Sequence, residues 1–425
     1  MKNLDINKIK LSKKLKLNFS QNEIAISAKF IQKFGAKIPV VLNDEKEIIV
    51  GENLYLASQE LGLKEIPIVY IENLSNKELK AFKIASKRIL SFGEFDEDEL
   101  KFELKDLLLD VDFNFECEEL GFTSIEFDNL LFVDEAKETK EKEDKLELNN
   151  IKEIVKYGDI IQLGKHKLIC GDSLNSKTYE ALLGKNKVDI IISDPPYNVK
   201  IQGNVTSRNC HNEFQNASGE MSENEFQNFL STAFVLAKDF SKDDSLHYVF
   251  MDWRHSLDLQ LAFRDIYPKL LNICVWDKTK AGMGSFYRSQ HEFCFVYQNG
   301  SGAYSNNIQL GKNGRNRSNI WQYQGMNLST KQANKLGKLH PTVKSTAMIA
   351  DIILDTTKQG DLILDNFGGS GTTLIAAEQT NRVAYLIEIS PHYCNVIIHR
   401  WEEMTGMKHT KLGELNYGKE KEKQR

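Results

Sequence analysis

The sequence predicts an α/β protein in which a largely parallel sheet, covered by helices on both faces, follows a small α+β domain. Three observations carry that prediction. Near-continuous apolar runs such as "VDIIIS", "LHYVFM" and "VAYLIEI" alternate with amphipathic stretches such as "STAMIADIILDTTK", the pattern of strands buried on both faces. The 425 residues exceed one ordinary domain. A charged stretch without glycine or proline, "DEAKETKEKEDKLELNN", separates two apolar-patterned halves.

That stretch sets the organisation: a first domain over 1–133 with an acidic helical extension, a linker over 134–150, a second domain over 151–410 and a polar tail over 411–425. In the first domain "IPVVLN" and "EIIVG" read as a hairpin across "NDEKE". "ENLYLASQELG" reads as a helix stopped by glycine, and "EIPIVYIEN" as a strand. "SNKELKAFKIASKRIL" is a helix opened by a serine cap. In the second domain "DIIQLG", "HKLIC", "NICVW", "EFCFVYQ" and "DLILD" complete the strands, and "GTTLIAAEQT" is a further helix.

Composition excludes several classes. No apolar run approaches a membrane span and the first residues lack a signal-peptide core, so the expectation is a cytoplasmic protein without a membrane partner. The six cysteines form no CxxC pair and sit in apolar runs, as reduced buried thiols do. His291-Glu292 begins a HExxH pattern, but Phe295 ends it, and no metal site is expected. The net charge is uneven: residues 1–150 carry −9 and residues 151–425 carry +4, together the −5 of the chain. Residues 271–350 alone carry +8, which suggests a local polyanion contact.

The chemistry collects where strands end. "HKLIC" leads into Gly171-Asp172-Ser173, and "VDIIIS" leads into Asp194-Pro195-Pro196-Tyr197. "DLILD" closes with Asp365 and leads into Phe367-Gly368-Gly369-Ser370-Gly371-Thr372; "VAYLIEI" carries Glu388. In an open α/β sheet ligands sit outside the carboxyl ends of the strands, so these four endings share one edge. The glycine turn with an acid about 20 residues on is the pattern of a nucleoside-containing cofactor. A P-loop is excluded because its lysine is missing, and a G-x-S-x-G elbow because Thr372 takes the last glycine position. The proline pair makes a stiff turn with no N–H of its own, so a carbonyl and the Asp194 carboxylate become two fixed acceptors for an amino group. The Tyr197 ring offers a stacking face.

Asp194-Pro195-Pro196-Tyr197, the glycine turn and His340-Pro341-Thr342-Val343-Lys344, in this order, resemble the β class of amino-methylating DNA methyltransferases over roughly residues 155–406. The resemblance implies a permuted Rossmann-like, S-adenosylmethionine-dependent methyltransferase fold and a site-specific DNA methyltransferase acting on a flipped base. Asp194 and the Pro195 carbonyl would hold the target amine in the stiff turn made by Pro196, with Tyr197 stacking on the base. Asp365, Phe367, Gly368, Gly369, Ser370, Gly371, Thr372 and Glu388 would bind S-adenosylmethionine, Glu388 at its ribose. Asp172 would lie by the adenine of the cofactor, and His340, Thr342 and Lys344 by its methionine end. Asn366 and Ser345 stand where the family often has proline. The aspartate of the tetrapeptide leans toward adenine N6, with cytosine N4 as the alternative. The implied partner is double-stranded DNA, with a cognate restriction enzyme and a homodimer left open. Residues 271–339 read as a target-recognition insertion, with Arg288, Lys312, Arg315 and Arg317 as its DNA contacts and Trp321 and Tyr323 as packing.

The strand–strand–helix–strand–helix order over roughly residues 20–92 resembles the ParB-like N-terminal domains. That family's basic phosphate box is replaced by Gly51-Glu52-Asn53-Leu54, with neither His nor Arg. A docking module is therefore expected rather than a nucleotide site. A non-catalytic ParB-like DNA-binding factor is the alternative from another class, and it predicts a decayed tetrapeptide or glycine turn. A protein-amide or RNA substrate fits less well, since Asn at 194 would favour the amide. A dehydrogenase would carry its glycine turn on the first strand.

Overall fold

The computed structural model describes residues 2–11, 17–90, 95–109, 115–132, 151, 153–199, 219–279, 286–311, 315–323 and 344–417. The chain divides into two compact units, Met1–Leu131 and Phe132–Arg425.

The first unit has four strands, β1 (Lys2–Asp5), β2 (Val40–Leu42), β3 (Ile48–Val50) and β4 (Glu65–Tyr70), in the order β1-β4-β2-β3. Its helices are α1 (Gln21–Phe34), α2 (Glu52–Glu60), α3 (Asn76–Ile89), α4 (Glu97–Leu109) and α5 (Ser124–Phe132). The hairpin β2–β3 turns where "NDEKE" predicts, and the Asn43 side chain accepts from the Glu45 and Glu47 amides. Ile6, Val40, Leu42, Ile48, Tyr55, Ile66 and Ile68 fill the space under the sheet. Ser20 with Glu23 and Ser75 with Glu78 form capping boxes at α1 and α3, each satisfying otherwise orphaned amides. At the start of α2, Glu52 is buried and ion-paired with Lys83 at 2.7 Å. An acid with its own cation thus occupies this helix N-terminus, where a carboxylate suits the helix dipole.

The second unit is built on one ten-stranded sheet, ordered β11-β9-β10-β8-β7-β12-β13-β6-β5-β14. The strands are β5 (Asp159–Leu163), β6 (His166–Cys170), β7 (Val188–Ser193), β8 (Ser241–Met251), β9 (Lys269–Asp277), β10 (His291–Gln298), β11 (Ile320–Gln322), β12 (Leu362–Asp365), β13 (Val383–Glu388) and β14 (Thr410–Glu414). The centre, β8-β7-β12-β13-β6, is parallel, and antiparallel strands flank it on both sides. The helices are α6 (Ser176–Leu183), α7 (Glu223–Asp239), α8 (Ser256–Phe263), α9 (Thr346–Thr356), α10 (Thr372–Gln379) and α11 (Pro391–Thr405). Two-sided burial explains the apolar runs. Ile190 and Ile192 of β7 cluster with Met348, Ile353, Leu374 and Trp401 of α9, α10 and α11, and Val188 and Ile191 with Tyr179, Leu182 and Ala237 of α6 and α7. Phe226, Leu230, Phe234, Leu259 and Phe263 of α7 and α8 form a third cluster against β8 and β10.

Within 271–339, β9 and β10 pair antiparallel with each other, β10 pairs with β8, and β11 adds to β9, so these strands extend the sheet itself. At the start of the polar stretch 411–425, β14 pairs with β5, and the Tyr417 ring packs on Tyr157 at 4.8 Å. Among the described residues no helix is long and apolar enough to cross a membrane.

Candidate active site

Strands β7 and β12 are parallel neighbours, so the Asp194-Pro195-Pro196-Tyr197 turn and the glycine turn emerge side by side at one sheet edge. Ser193 at the end of β7 donates to Asn366 Oδ1 at 2.7 Å, and both residues are buried. Past the tetrapeptide, Asn198 adopts a left-handed conformation (φ 53°), which asparagine tolerates better than most residues. Its side chain holds the segment before α7, donating to the Met221 carbonyl at 2.8 Å and accepting from the Gly219 amide at 3.0 Å.

The Asp194 carboxylate has partners at both oxygens. The Tyr197 hydroxyl donates to Oδ1 at 2.5 Å, and Lys344 Nζ donates to Oδ2 at 2.7 Å. The Lys344 ammonium also reaches Glu292 Oε2 at 3.0 Å and the Tyr197 hydroxyl at 3.1 Å. Glu292, on β10, is held a second time by Lys278 Nζ at 2.5 Å. Burial pushes the Asp194 carboxyl above its usual range against the pull of Lys344. Burial pushes Glu292 the same way, but Lys344 and Lys278 overcome it and bring the carboxyl down to about 2.

The glycine turn is shaped by hydrogen bonds from its own amides. The Phe367 amide donates to Asp365 Oδ1 at 3.1 Å and Thr373 Oγ1 to Asp365 Oδ2 at 2.6 Å. The Gly369 amide donates to Glu388 Oε2 at 2.7 Å, and the Ser390 amide to Glu388 Oε1 at 2.8 Å. Gly371 has φ 80°, and a Cβ there would lie 2.9 Å from Ile397 Cγ1, so only glycine lets α10 start this close to α11. Buried Ser370 is held through its carbonyl by Arg400 at 2.6 Å, Thr372 begins α10, and the Phe367 ring packs against Phe229 at 5.9 Å. Gly368 is pinned by its amide to the Ile387 carbonyl at 2.8 Å. Asp365 and Glu388 are buried and have no ion-pair partner among the described residues; burial pushes both carboxyls up to about 7. Asp172 is buried at the end of β6, where the Gly171 amide donates to the Glu388 carbonyl at 3.0 Å.

The structure therefore brings Asp172, Asp194, Pro195, Pro196, Tyr197, Asp365, the glycine turn and Glu388 to one edge, although they are spread along the sequence from 172 to 388. Lys344 joins Asp194 rather than the glycine turn. His340, Thr342 and Lys312 lie outside the described residues. Arg315 and Arg317 correct the sequence reading. Arg315 is buried and pairs with Asp351 at 2.9 Å and Asp355 at 2.8 Å, and Arg317 pairs with Asp351 at 3.0 Å and Asp355 at 2.6 Å. Both guanidinium groups are consumed by α9, and Trp321 and Tyr323 pack beside Arg317, so these cations do not face a polyanion. Arg288 differs: it is exposed in the β9–β10 connection, at the same sheet edge as Asp194, next to the exposed Phe286 and Tyr287 rings. Lys278 was not singled out from the sequence, and Glu292 was met only in the broken HExxH pattern; the available signal was an acid inside the otherwise apolar run "HEFCFVYQ".

Residues 188–399 match the family model described as DNA methylase, of the N6 and N4 amino-methylating type. The chain is 25% identical over 249 residues to Type II methyltransferase M.HpaI of Haemophilus parainfluenzae, covering 55% of this chain and 73% of that protein. It is 26% identical over 266 residues to Type II methyltransferase M2.DpnII of Streptococcus pneumoniae, covering 58% and 96%. Among solved structures, the cytosine-N4-specific PvuII DNA methyltransferase aligns over 59% of this chain and 94% of its own, with 17% identity and a TM-score of 0.45. The chromosome-partitioning protein ParB from Caulobacter crescentus aligns over 33% and 84%, with 18% identity and a TM-score of 0.28.

Proposed function

The chain belongs, through residues 188–399, to the N6 and N4 DNA methylase family and is a DNA methyltransferase that uses S-adenosylmethionine; from that premise we propose that it methylates adenine N6 within a specific sequence of double-stranded DNA. The observation that carries the proposal is the Asp194 carboxyl group, paired with Lys344 at 2.7 Å and set on a stiff proline turn next to the glycine turn.

The residues present fit the cofactor. Two buried carboxyl groups without an ion-pair partner among the described residues, Asp365 and Glu388, flank a turn whose glycines admit close backbone approach, and such acids suit a cationic ligand with ribose hydroxyls. Glu388 would take the ribose, Asp172 the adenine, and Asp365 with Phe367, Gly368, Gly369, Ser370, Gly371 and Thr372 the remainder, together with His340 and Thr342. Bound there, S-adenosylmethionine supplies an electrophilic methyl group on sulfur.

The chain's own residues prepare the acceptor. A conjugated amine is a poor nucleophile, and two acceptors on its hydrogens, Asp194 and the Pro195 carbonyl, favour a pyramidal nitrogen with a free lone pair. Rate is gained from positioning and electrostatics, without a covalent enzyme intermediate. A stacked base cannot reach this edge, so the target must leave the duplex, at a cost of a few kcal/mol. The Tyr197 ring would receive it, and Arg288 would contact the backbone nearby. The partner is duplex DNA; a cognate restriction enzyme and a homodimer are compatible with this reading.

Expression in a methylation-deficient host followed by modification-sensitive sequencing tests the proposal. N6-methyladenine in one defined motif, lost in Asp194→Ala, supports it. N4-methylcytosine would reassign the base, and unmodified DNA despite cofactor binding would overturn the proposal.

A further inference from the structure

Four charges meet at the tetrapeptide, drawn from four separate parts of the chain: Asp194 after β7, Lys278 after β9, Glu292 on β10 and Lys344 before α9. An ammonium has three donors, and Lys344 places them on three acceptors: Asp194 Oδ2 at 2.7 Å, Glu292 Oε2 at 3.0 Å and the Tyr197 hydroxyl at 3.1 Å. The rings of Tyr197, Phe250 and Trp276 stand 5.5, 5.1 and 5.7 Å from its nitrogen. These rings stabilise the cation through their faces and keep water away. Two acids and two lysines give the cluster no net charge, which is how a buried set of ions avoids an uncompensated desolvation cost.

The clamp needs such a set. A buried carboxyl without a cation takes up a proton, and a protonated carboxyl donates where the target amine requires an acceptor. We propose that Lys344 and Glu292 are positioning residues for methyl transfer, Lys344 keeping Asp194 an ionised acceptor and Glu292 holding the lysine at the clamp. The inference rests on the reading of Asp194 as the amine clamp. It also explains how the clamp opens. Asp194 Oδ1 is occupied by the Tyr197 hydroxyl, which has a second acceptor, Glu292 Oε2, at 3.3 Å. Turning the hydroxyl to Glu292 frees Oδ1 for the amine while Lys344 stays on Oδ2.

The groups that act on the cluster come from every surrounding element. Tyr197 and Lys344 touch Asp194 directly, and Glu292 repels it from β10. The Asp194 charge also bears on Asp365 on β12 and Cys294 on β10, and Asp252 after β8 acts on Tyr197. Burial alone would lower the Lys344 ammonium, yet Asp194 and Glu292 carry it above its ordinary value.

The test is the pH dependence of kcat/KM for DNA methylation by the full chain, whose acidic limb reports ionisations of the free enzyme. In Lys344→Met the acidic limb moves to higher pH by about one unit or more, because Glu292 then faces Asp194 without the intervening cation. Lys344→Arg keeps the limb near its original position. Glu292→Gln combined with Lys344→Met brings the limb part of the way back, since the Glu292 charge that repels Asp194 is then gone. A merely structural lysine predicts no such return. Melting temperature and calorimetric binding of S-adenosylmethionine establish that each variant is folded, and Lys344→Gln replaces Lys344→Met if the latter does not fold. An unmoved limb in both uncharged variants, or an equal displacement in Lys344→Arg, overturns the inference while leaving the enzyme reading intact. Absence of methylation by the unsubstituted protein at every pH would remove both.

Discussion

Ser193 and Asn366 are joined side chain to side chain at 2.7 Å, which ties the strand end that carries the tetrapeptide to the strand end that carries the glycine turn. Asn366 also donates to the Tyr179 hydroxyl at 3.3 Å, so one buried amide connects β7, β12 and α6. Asn366→Ala leaves the Ser193 hydroxyl and the Tyr179 hydroxyl each short of a buried partner, a cost of about 1–3 kcal/mol. The melting temperature is expected to fall, and kcat to fall with it, because the two turns lose their common anchor. A variant with unchanged melting temperature and unchanged kcat would show that the backbone ladder alone fixes the two turns.

Asp194 is the centre of the proposed clamp, and its replacement separates chemistry from folding. Asp194→Asn keeps the shape and one oxygen acceptor but removes the charge, so the amine is no longer polarised. Methylation is expected to fall by about a hundredfold or more, the scale found when one preorganised electrostatic contact is removed. Calorimetric affinity for S-adenosylmethionine should change little, since the glycine turn, Glu388 and Asp172 are untouched. Equal loss of binding and turnover would place Asp194 in the cofactor site instead.

The sheet edge was legible in the sequence because its signals are local. A buried strand ending in Asp194-Pro195-Pro196-Tyr197 and another ending in a glycine turn can each be read in under ten residues. What was not legible depends on pairing between distant segments. Glu292 sits in "HEFCFVYQ", where period and composition show only a strand; its partner Lys344 is 52 positions away in the sequence and meets it only because β10 and the start of α9 converge on the tetrapeptide. The arginines failed for the opposite reason. Positive charge in "GKNGRNRSNI" resembles a polyanion contact until Asp351 and Asp355, one turn apart on α9, are seen to absorb it. Strand β1 and helix α1 went unassigned because "KNLD" has too few residues to show a period, whereas the Ser20–Glu23 capping box was a usable signal for α1.

Asp365 and Glu388 predict a pH dependence of stability in the ligand-free protein. Burial raises both carboxyls to about 7, above the ordinary values of 3.8 and 4.5. A raised folded-state value means that the stabilising contribution is full below the unfolded value and is lost as pH rises through the folded one. Each group should therefore cost the folded state on the order of a few kcal/mol between about pH 4 and pH 7. Asp365→Asn and Glu388→Gln should each flatten that fall, read as melting temperature against pH relative to the parent chain. Saturation with S-adenosylmethionine should also reduce it, if the cofactor compensates the two acids. Parallel melting profiles for parent and variants would mean that the carboxyls are hydrated or otherwise compensated in solution.

The arginines of the second unit divide into structural and exposed ones, and two substitutions distinguish them. Arg315 is buried between Asp351 and Asp355, and removing it leaves Arg317 alone to balance two carboxylates on α9. Breaking such a pair costs about 3–5 kcal/mol, so Arg315→Ala should lower the melting temperature sharply and weaken DNA binding only through loss of folded protein. Arg288 is exposed beside Phe286 and Tyr287 at the edge that carries Asp194, and Arg288→Ala should lower the melting temperature far less than Arg315→Ala. If Arg288 meets a phosphate, its removal weakens binding to all duplexes alike and lowers the slope of log affinity against log salt by about 1. If it reads a base edge, the loss is confined to the recognised motif, at about 1–3 kcal/mol. Fluorescence anisotropy with matched and scrambled duplexes at several salt concentrations separates these outcomes. Unaltered affinity for both duplexes would remove Arg288 from the DNA-contacting surface.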